Sequence, residues 1–141
     1  MPDVNNLYIS LFENRSTETG IDVLLTDDLK NEFIHKYGGK LSEKENAEAI
    51  LSGRILDLRT WTVSRTGALT SLERRISITV DVRLKGAAGK SMRSATGVSA
   101  DGTYAVVSGD KQATEKNKQD AIILLSKQVA EAVFHRLTED F

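Results

Sequence analysis

The sequence contains no cysteine. That absence excludes disulfides, thiolate metal sites and a cysteine nucleophile, while leaving the redox compartment open. No run approaches the ~18 apolar residues of a membrane span. Met1-Pro2-Asp3-Val4-Asn5 is polar, unlike the basic start and apolar middle of a signal peptide. The two histidines, His35 and His135, sit among charged or polar neighbours, and neither has a second histidine at ligand spacing. Gly38-Gly39 follows a helical pattern instead of opening one, so it is no phosphate-cradling loop. No serine lies in a nucleophile elbow. Solvated helix and loop surfaces account for Asp27-Asp28 and for Glu43, Glu45 and Glu48. No catalytic residue, metal or cofactor is expected.

A length of 141 residues fits one domain with a real core, taken as residues 1–141 with a flexible start at 1–5. The net charge of −1 hides a division. Arg54 to Ala100 holds nine basic residues against three acidic ones, so the middle is cationic and its flanks are acidic. Such asymmetry suggests an anionic partner for the middle.

The organising stretch is Arg75 to Lys85. Ile76, Ile78, Val80, Val82 and Leu84 alternate with Arg75, Ser77, Thr79, Asp81, Arg83 and Lys85, which predicts a strand with one face buried and one wet. Before it, Leu7 to Phe12 reads as a short strand broken by Glu13 to Ser16. Ile21, Leu25, Leu29, Phe33 and Tyr37, with Leu24 and Ile34 widening the stripe, then predict an amphipathic helix, capped by Thr17 or Thr19 and ended by Gly38-Gly39. Lys40-Leu41 can add a minor strand. Ala47 to Val63 predicts a long strand whose phase slips near Ile55, as a bulge would cause. Ser64 to Ser71 and Gly86 to Gly89 read as turns. Lys90 to Val98 predicts a third strand with Met92, Ser94, Thr96 and Val98 on one parity, and Ala100 to Asp110 either extends it or forms a loop. From Gln112 to Thr138, Ile122, Leu125, Val129, Val133 and Leu137 mark a second long helix. The expected fold is α+β: two amphipathic helices on one face of a mostly antiparallel, roughly four-stranded sheet, in the order β-α-β-β-β-α.

The other sheet face would carry the cations. Either that face is merely solvated or it binds phosphate or carboxylate, for which arginine's planar fork is suited. Asp81 is read as a cross-strand charge partner. Trp61 either packs at the core or sheet edge or serves as an interface aromatic. Nucleic acid is not expected, because the wet parity of the central strand carries no Phe or Tyr for base stacking.

Leu7 to Arg15, the helix from Gly20 to Tyr37, Ala47 to Ile55, Ile78 to Leu84, and Asn117 to Ile122 with its long helix form a set in this order. Together these stretches resemble the LptE-like lipopolysaccharide-assembly lipoproteins. The likeness covers nearly the whole chain in order. It implies a non-enzymatic periplasmic protein on the inner leaflet of the outer membrane, held by a lipidated cysteine that would lie upstream of this sequence with its leader. It also implies two partners: an outer-membrane β-barrel, LptD, whose lumen such proteins plug, and lipopolysaccharide itself. The family's ligand-binding positions do not transfer residue by residue. Arg74, Arg75, Arg83, Lys85 and Arg93 are nominated on charge and strand phase, with the turns at Ser64 to Ser71 and Gly86 to Gly89 as further contacts. The alternative is a periplasmic lipoprotein regulating peptidoglycan synthesis or curli-type secretion, which shares the opening strand, Phe12-Glu13-Asn14-Arg15 and a helix. The long terminal helix argues against it.

Overall fold

A computed structural model describes residues 4–63, 72–86 and 91–139, with only the backbone described at 91 and 92. In chain order the elements are β1 (Asn6–Ile9), β2 (Glu13–Asn14), α1 (Ile21–Tyr37), β3 (Lys40–Leu41), a 3-10 turn (Lys44–Asn46), β4 (Ala49–Val63), β5 (Leu72–Gly86), β6 (Ser91–Val106) and α2 (Lys111–Thr138).

The centre is as the alternation predicts. In β5, Ile76, Ile78, Val80, Val82 and Leu84 are all buried. Antiparallel β4 and β6 flank it along almost its whole length. At ~3.3 Å per residue these strands run for about 50 Å. The register between β4 and β5 shifts between Ile55 and Asp57, where the phase slip of the sequence falls.

The sheet has six strands where about four were expected, in the order β3-β1-β4-β5-β6, with β2 also paired to β4. It is mixed, because β1 and β2 run parallel to β4, and β3 runs parallel to β1. Of the two extra strands, each of two residues, Lys40-Leu41 is the minor strand the sequence offers, whereas Glu13-Asn14 is too short for any periodicity to reveal. Glu13 to Ser16 thus does not simply break the first strand: Glu13-Asn14 rejoins β4 beside Arg54 and Ile55. Nor is the start wholly loose, since Val4 is buried and the Asn5 N–H donates to Glu48. Residues 1–3 lie outside the described residues.

Both helices cover the face that carries Ile76 to Leu84. α1 buries Ile21, Leu25, Leu29 and Phe33, whereas Tyr37 is exposed and meets the Phe134 ring at 5.4 Å. Its N-cap is Gly20 in a left-handed conformation, not Thr17 or Thr19, and Gly38 ends it as expected. α2 begins one residue before Gln112, where Asp110 accepts the Ala113 N–H as a side-chain cap. Glu18 meets Lys118, Asp28 meets Ser126, and Phe33 stacks on Phe134, so the two helices run parallel.

The third strand corrects one expectation. Val98 does not share a face with Ser94 and Thr96. Gly97 adopts φ 66 and the register slips between Val80 and Val82, turning Val98 inward beside Ala95. The Ala100 stretch extends the strand as far as Val106.

Candidate anion-binding site

The site begins with the wet parity of β5. Pairing places Arg83 opposite Ser52 and Ser94, and Asp81 opposite Arg54. The bulge at Gly97 turns its backbone N–H to Asp81 Oδ1 at 2.8 Å, while Asp81 Oδ2 lies 3.5 Å from the Arg54 guanidinium. Asp81 is therefore the cross-strand partner that its neighbours suggested, and it also holds the bulge. Around these groups is an open depression of about 300 Å³, lined by Glu13, Ser52, Arg54, Asp81, Arg83 and Lys85, with Ser94 and Thr96 on the far side. At the rim, the Arg15 guanidinium donates to Glu13 at 2.7 Å and holds that carboxyl below its ordinary pKa.

The structure divides the five nominated cations. Arg83 and Lys85 lie in the depression, and among the described residues neither makes a hydrogen bond or ion pair. Arg75 shares their face but is ion-paired with Asp101. Arg74 has the opposite parity and projects to the helix side, where it donates to Thr60 Oγ1 at 3.0 Å and Thr62 Oγ1 at 3.3 Å. Arg93 pairs with Leu84, so it too belongs to the helix side, and it donates to the Glu139 carbonyl at 2.9 Å. Arg54 was not nominated. The signal for it is its alternation with Ser52 before the phase slip, which becomes readable only once the register against Asp81 is known.

The open face is not a sheet of bare positive charge. Arg54, Arg59, Arg75, Arg83 and Lys85 share it with Glu13, Asp57, Glu73, Asp81 and Asp101. What distinguishes the depression is local. Two uncommitted cations stand two residues apart on one face, roughly 6.6 Å along the strand, beside a third that is oriented by Asp81. An arginine fork and a lysine point charge at that spacing suit an anion with more than one acidic group. Trp61 is 42% exposed at the far end of the same face, so it is not a core residue. The turn at Ser64 to Ser71, and residues 87–89 of the second turn, lie outside the described residues.

A mixed sheet roofed on one side by two parallel helices, with a polar face left open on the other, defines an α+β sandwich. Solved structures share the fold. A putative lipoprotein from Caulobacter crescentus superposes with a TM-score of 0.55 at 20% identity, covering 89% of this chain and 86% of that one. Rare lipoprotein B from Shewanella oneidensis gives 0.55 at 14% identity, with 94% and 93% covered. The minor lipoprotein from Acinetobacter baumannii gives 0.52 at 19%, with 95% and 93% covered. No curated protein sequence matches significantly. The model of a family described as "LptE: Lipopolysaccharide-assembly" matches residues 4–137. The chain belongs to the LptE family, whose part in envelope biogenesis is lipopolysaccharide assembly.

Proposed function

We propose that this chain is a non-enzymatic plug for an LptD-type outer-membrane β-barrel, and that its depression around Arg54, Arg83 and Lys85 engages lipopolysaccharide. Family membership supports the barrel partner, and the lipoprotein relatives support a lipid-anchored position on the periplasmic face of the outer membrane. No helix among the described residues is long and apolar enough to cross a membrane.

The observation that carries the ligand reading is that Arg83 and Lys85, within one depression, have no partner among the described residues. Phosphates and carboxylates of the lipid A and inner-core region are multivalent anions, and binding several at once needs cations that are not already paired. The test is labelled lipopolysaccharide titrated at low salt against the wild type, Arg83→Glu with Lys85→Glu, and Arg74→Gln. The double reversal lowers affinity by roughly tenfold or more, at about 1.4 kcal/mol per decade. Arg74→Gln leaves it unchanged. Equal binding by all three removes the ligand assignment. Failure to co-isolate a barrel with the lipidated protein removes the plug assignment.

A further inference from the structure

The sheet treats its two long edges differently. Along β6, the α2 side chains Asn117 and Arg136 reach over to the carbonyls of Ala105 and Thr96 and occupy outward-facing backbone acceptors. Such cover blunts an edge against pairing. Among the described residues, the distal half of β4 has no such cover. β1 and β2 pair with it only as far as Ile55, and among the described residues no strand lies beside Leu56 to Val63.

The direction of the free backbone groups follows from the ladder. Leu51 and Ile55 carbonyls point away from β5, accepting from the Ser10 and Arg15 N–H groups. The irregularity between Ile55 and Asp57 then shifts the alternation by one. Beyond it, Leu58, Thr60 and Thr62 turn their N–H and C=O groups outward, because Asp57, Arg59, Trp61 and Val63 face β5. This segment is rich in residues favoured by strands and has neither proline nor lysine to guard it.

We infer that this edge pairs with the same edge of a second copy of the chain, antiparallel about a two-fold axis at Thr60. That register sets Thr60 against Thr60 and Leu58 against the second copy's Thr62. It also sets Arg59 against the second copy's Trp61, twice. Arg59 is exposed and makes no hydrogen bond or ion pair among the described residues, and Trp61 is 42% exposed on the same face. The edge is thus complementary to itself: each copy supplies an uncommitted guanidinium and an uncovered indole at cross-strand positions, the geometry of a cation–π pair. An isologous contact needs this self-matching. The edge is short against the ~1,200 Å² of a stable interface, so association is weak and concentration-dependent. The inference is independent of the barrel and ligand assignments.

The absence of cysteine makes the test clean. Single-cysteine variants of the full chain, Thr60→Cys and Thr62→Cys, are oxidised mildly at matched concentration. Thr60→Cys forms a disulfide-linked dimer, because its Cα lies about 5.5 Å from its symmetry mate, within disulfide reach. Thr62→Cys does not, because its mate lies four residues away, roughly 13 Å. Adding Trp61→Ala to Thr60→Cys lowers the crosslinked yield severalfold. In sedimentation, Thr60→Pro removes one outward donor from each copy and weakens self-association by roughly tenfold or more, while Thr60→Val, which keeps the backbone N–H, does not. Equal crosslinking of the two cysteine variants, or a wild type that stays monomeric up to about 1 mM, overturns the inference.

Discussion

Gly53→Ala tests whether the packing beneath the site also shapes it. Alanine ordinarily improves on glycine inside a strand by about 0.5–1 kcal/mol, so default reasoning expects a gain. The structure expects a loss. A Cβ on Gly53 would lie 2.4 Å from the Asp81 carbonyl oxygen and 2.5 and 2.7 Å from Cε2 and Cζ of Phe12. Phe12 is 1% exposed and has no room to withdraw. The Asp81 carbonyl belongs to the central strand and cannot move without dragging the carboxylate that holds Gly97 and faces Arg54. Overpacking of this kind costs about 1–3 kcal/mol or more, which outweighs the entropic gain. The expected net loss is about 1–2 kcal/mol, or a Tm lower by roughly 3–8 °C, measured by urea and thermal unfolding. Phe12→Leu does not rescue the variant, because the backbone contact remains when the ring is shortened. A Gly53→Ala protein at or above wild-type stability, or one fully rescued by Phe12→Leu, would refute this reasoning.

Two further outcomes are expected. The Glu48 carboxylate accepts the N–H groups of Asn5 at 2.7 Å and Asn6 at 2.9 Å, which hold its pKa below the ordinary 4.5. The stabilisation is therefore complete above about 4.5 and lost as pH falls through the depressed value; hydrogen exchange at Asn5 and Asn6 should lose its protection over that window, and Glu48→Gln should abolish the pH dependence. Ser126, which is buried in α2 and donates to Asp28 Oδ2 of α1 at 2.6 Å, should cost about 1.5 kcal/mol when changed to alanine, read from urea unfolding.

The long elements were legible because their periodicity is long. Alternation from Ile76 to Leu84 fixed the buried face of β5, and the phase slip at Ile55 marked an irregularity before any partner was known. In the α1 stripe Ile21, Leu25, Leu29 and Phe33 were read correctly, whereas Ile34, which the sequence added to it, is exposed, and the Tyr37 ring lies at the exposed helix end against Phe134. What escaped was set by partners instead of periods. β2 exists because β4 offers it a parallel edge, and the register of β3 at Lys40-Leu41, which the sequence did offer as a minor strand, is set by β1. Gly97 could not be identified as the residue that flips Val98 without its hydrogen bond to Asp81. The N-cap at Gly20 displaced Thr17 and Thr19 because the chain enters the helix through a left-handed turn, with no side-chain cap.

The same distinction bears on the cationic middle. Net charge along a segment is blind to which side of a sheet each residue takes. Arg74 and Arg93 contribute to the excess of the sequence, yet the strand register sends both to the helix side, where they hold threonine hydroxyls and a terminal carbonyl. Arg75 stays on the open face but is spent on Asp101. An anion approaching that face meets roughly equal numbers of both charges, so a general field cannot account for capture. Selectivity has to come from commitment: a cation already paired must give up its partner before it gains a ligand, whereas Arg83 and Lys85 have none to lose among the described residues. Arg54 is the intermediate case, since Asp81 holds it at 3.5 Å while part of its guanidinium remains exposed. Removing Asp81 would free its charge but also release the Gly97 bulge that shapes one wall. Asp81→Asn therefore separates the two effects, because its amide oxygen can still accept the Gly97 N–H. If anion binding rises in this variant, Asp81 acts chiefly as a competitor for Arg54; if it falls, the carboxylate is needed to orient that guanidinium toward the ligand.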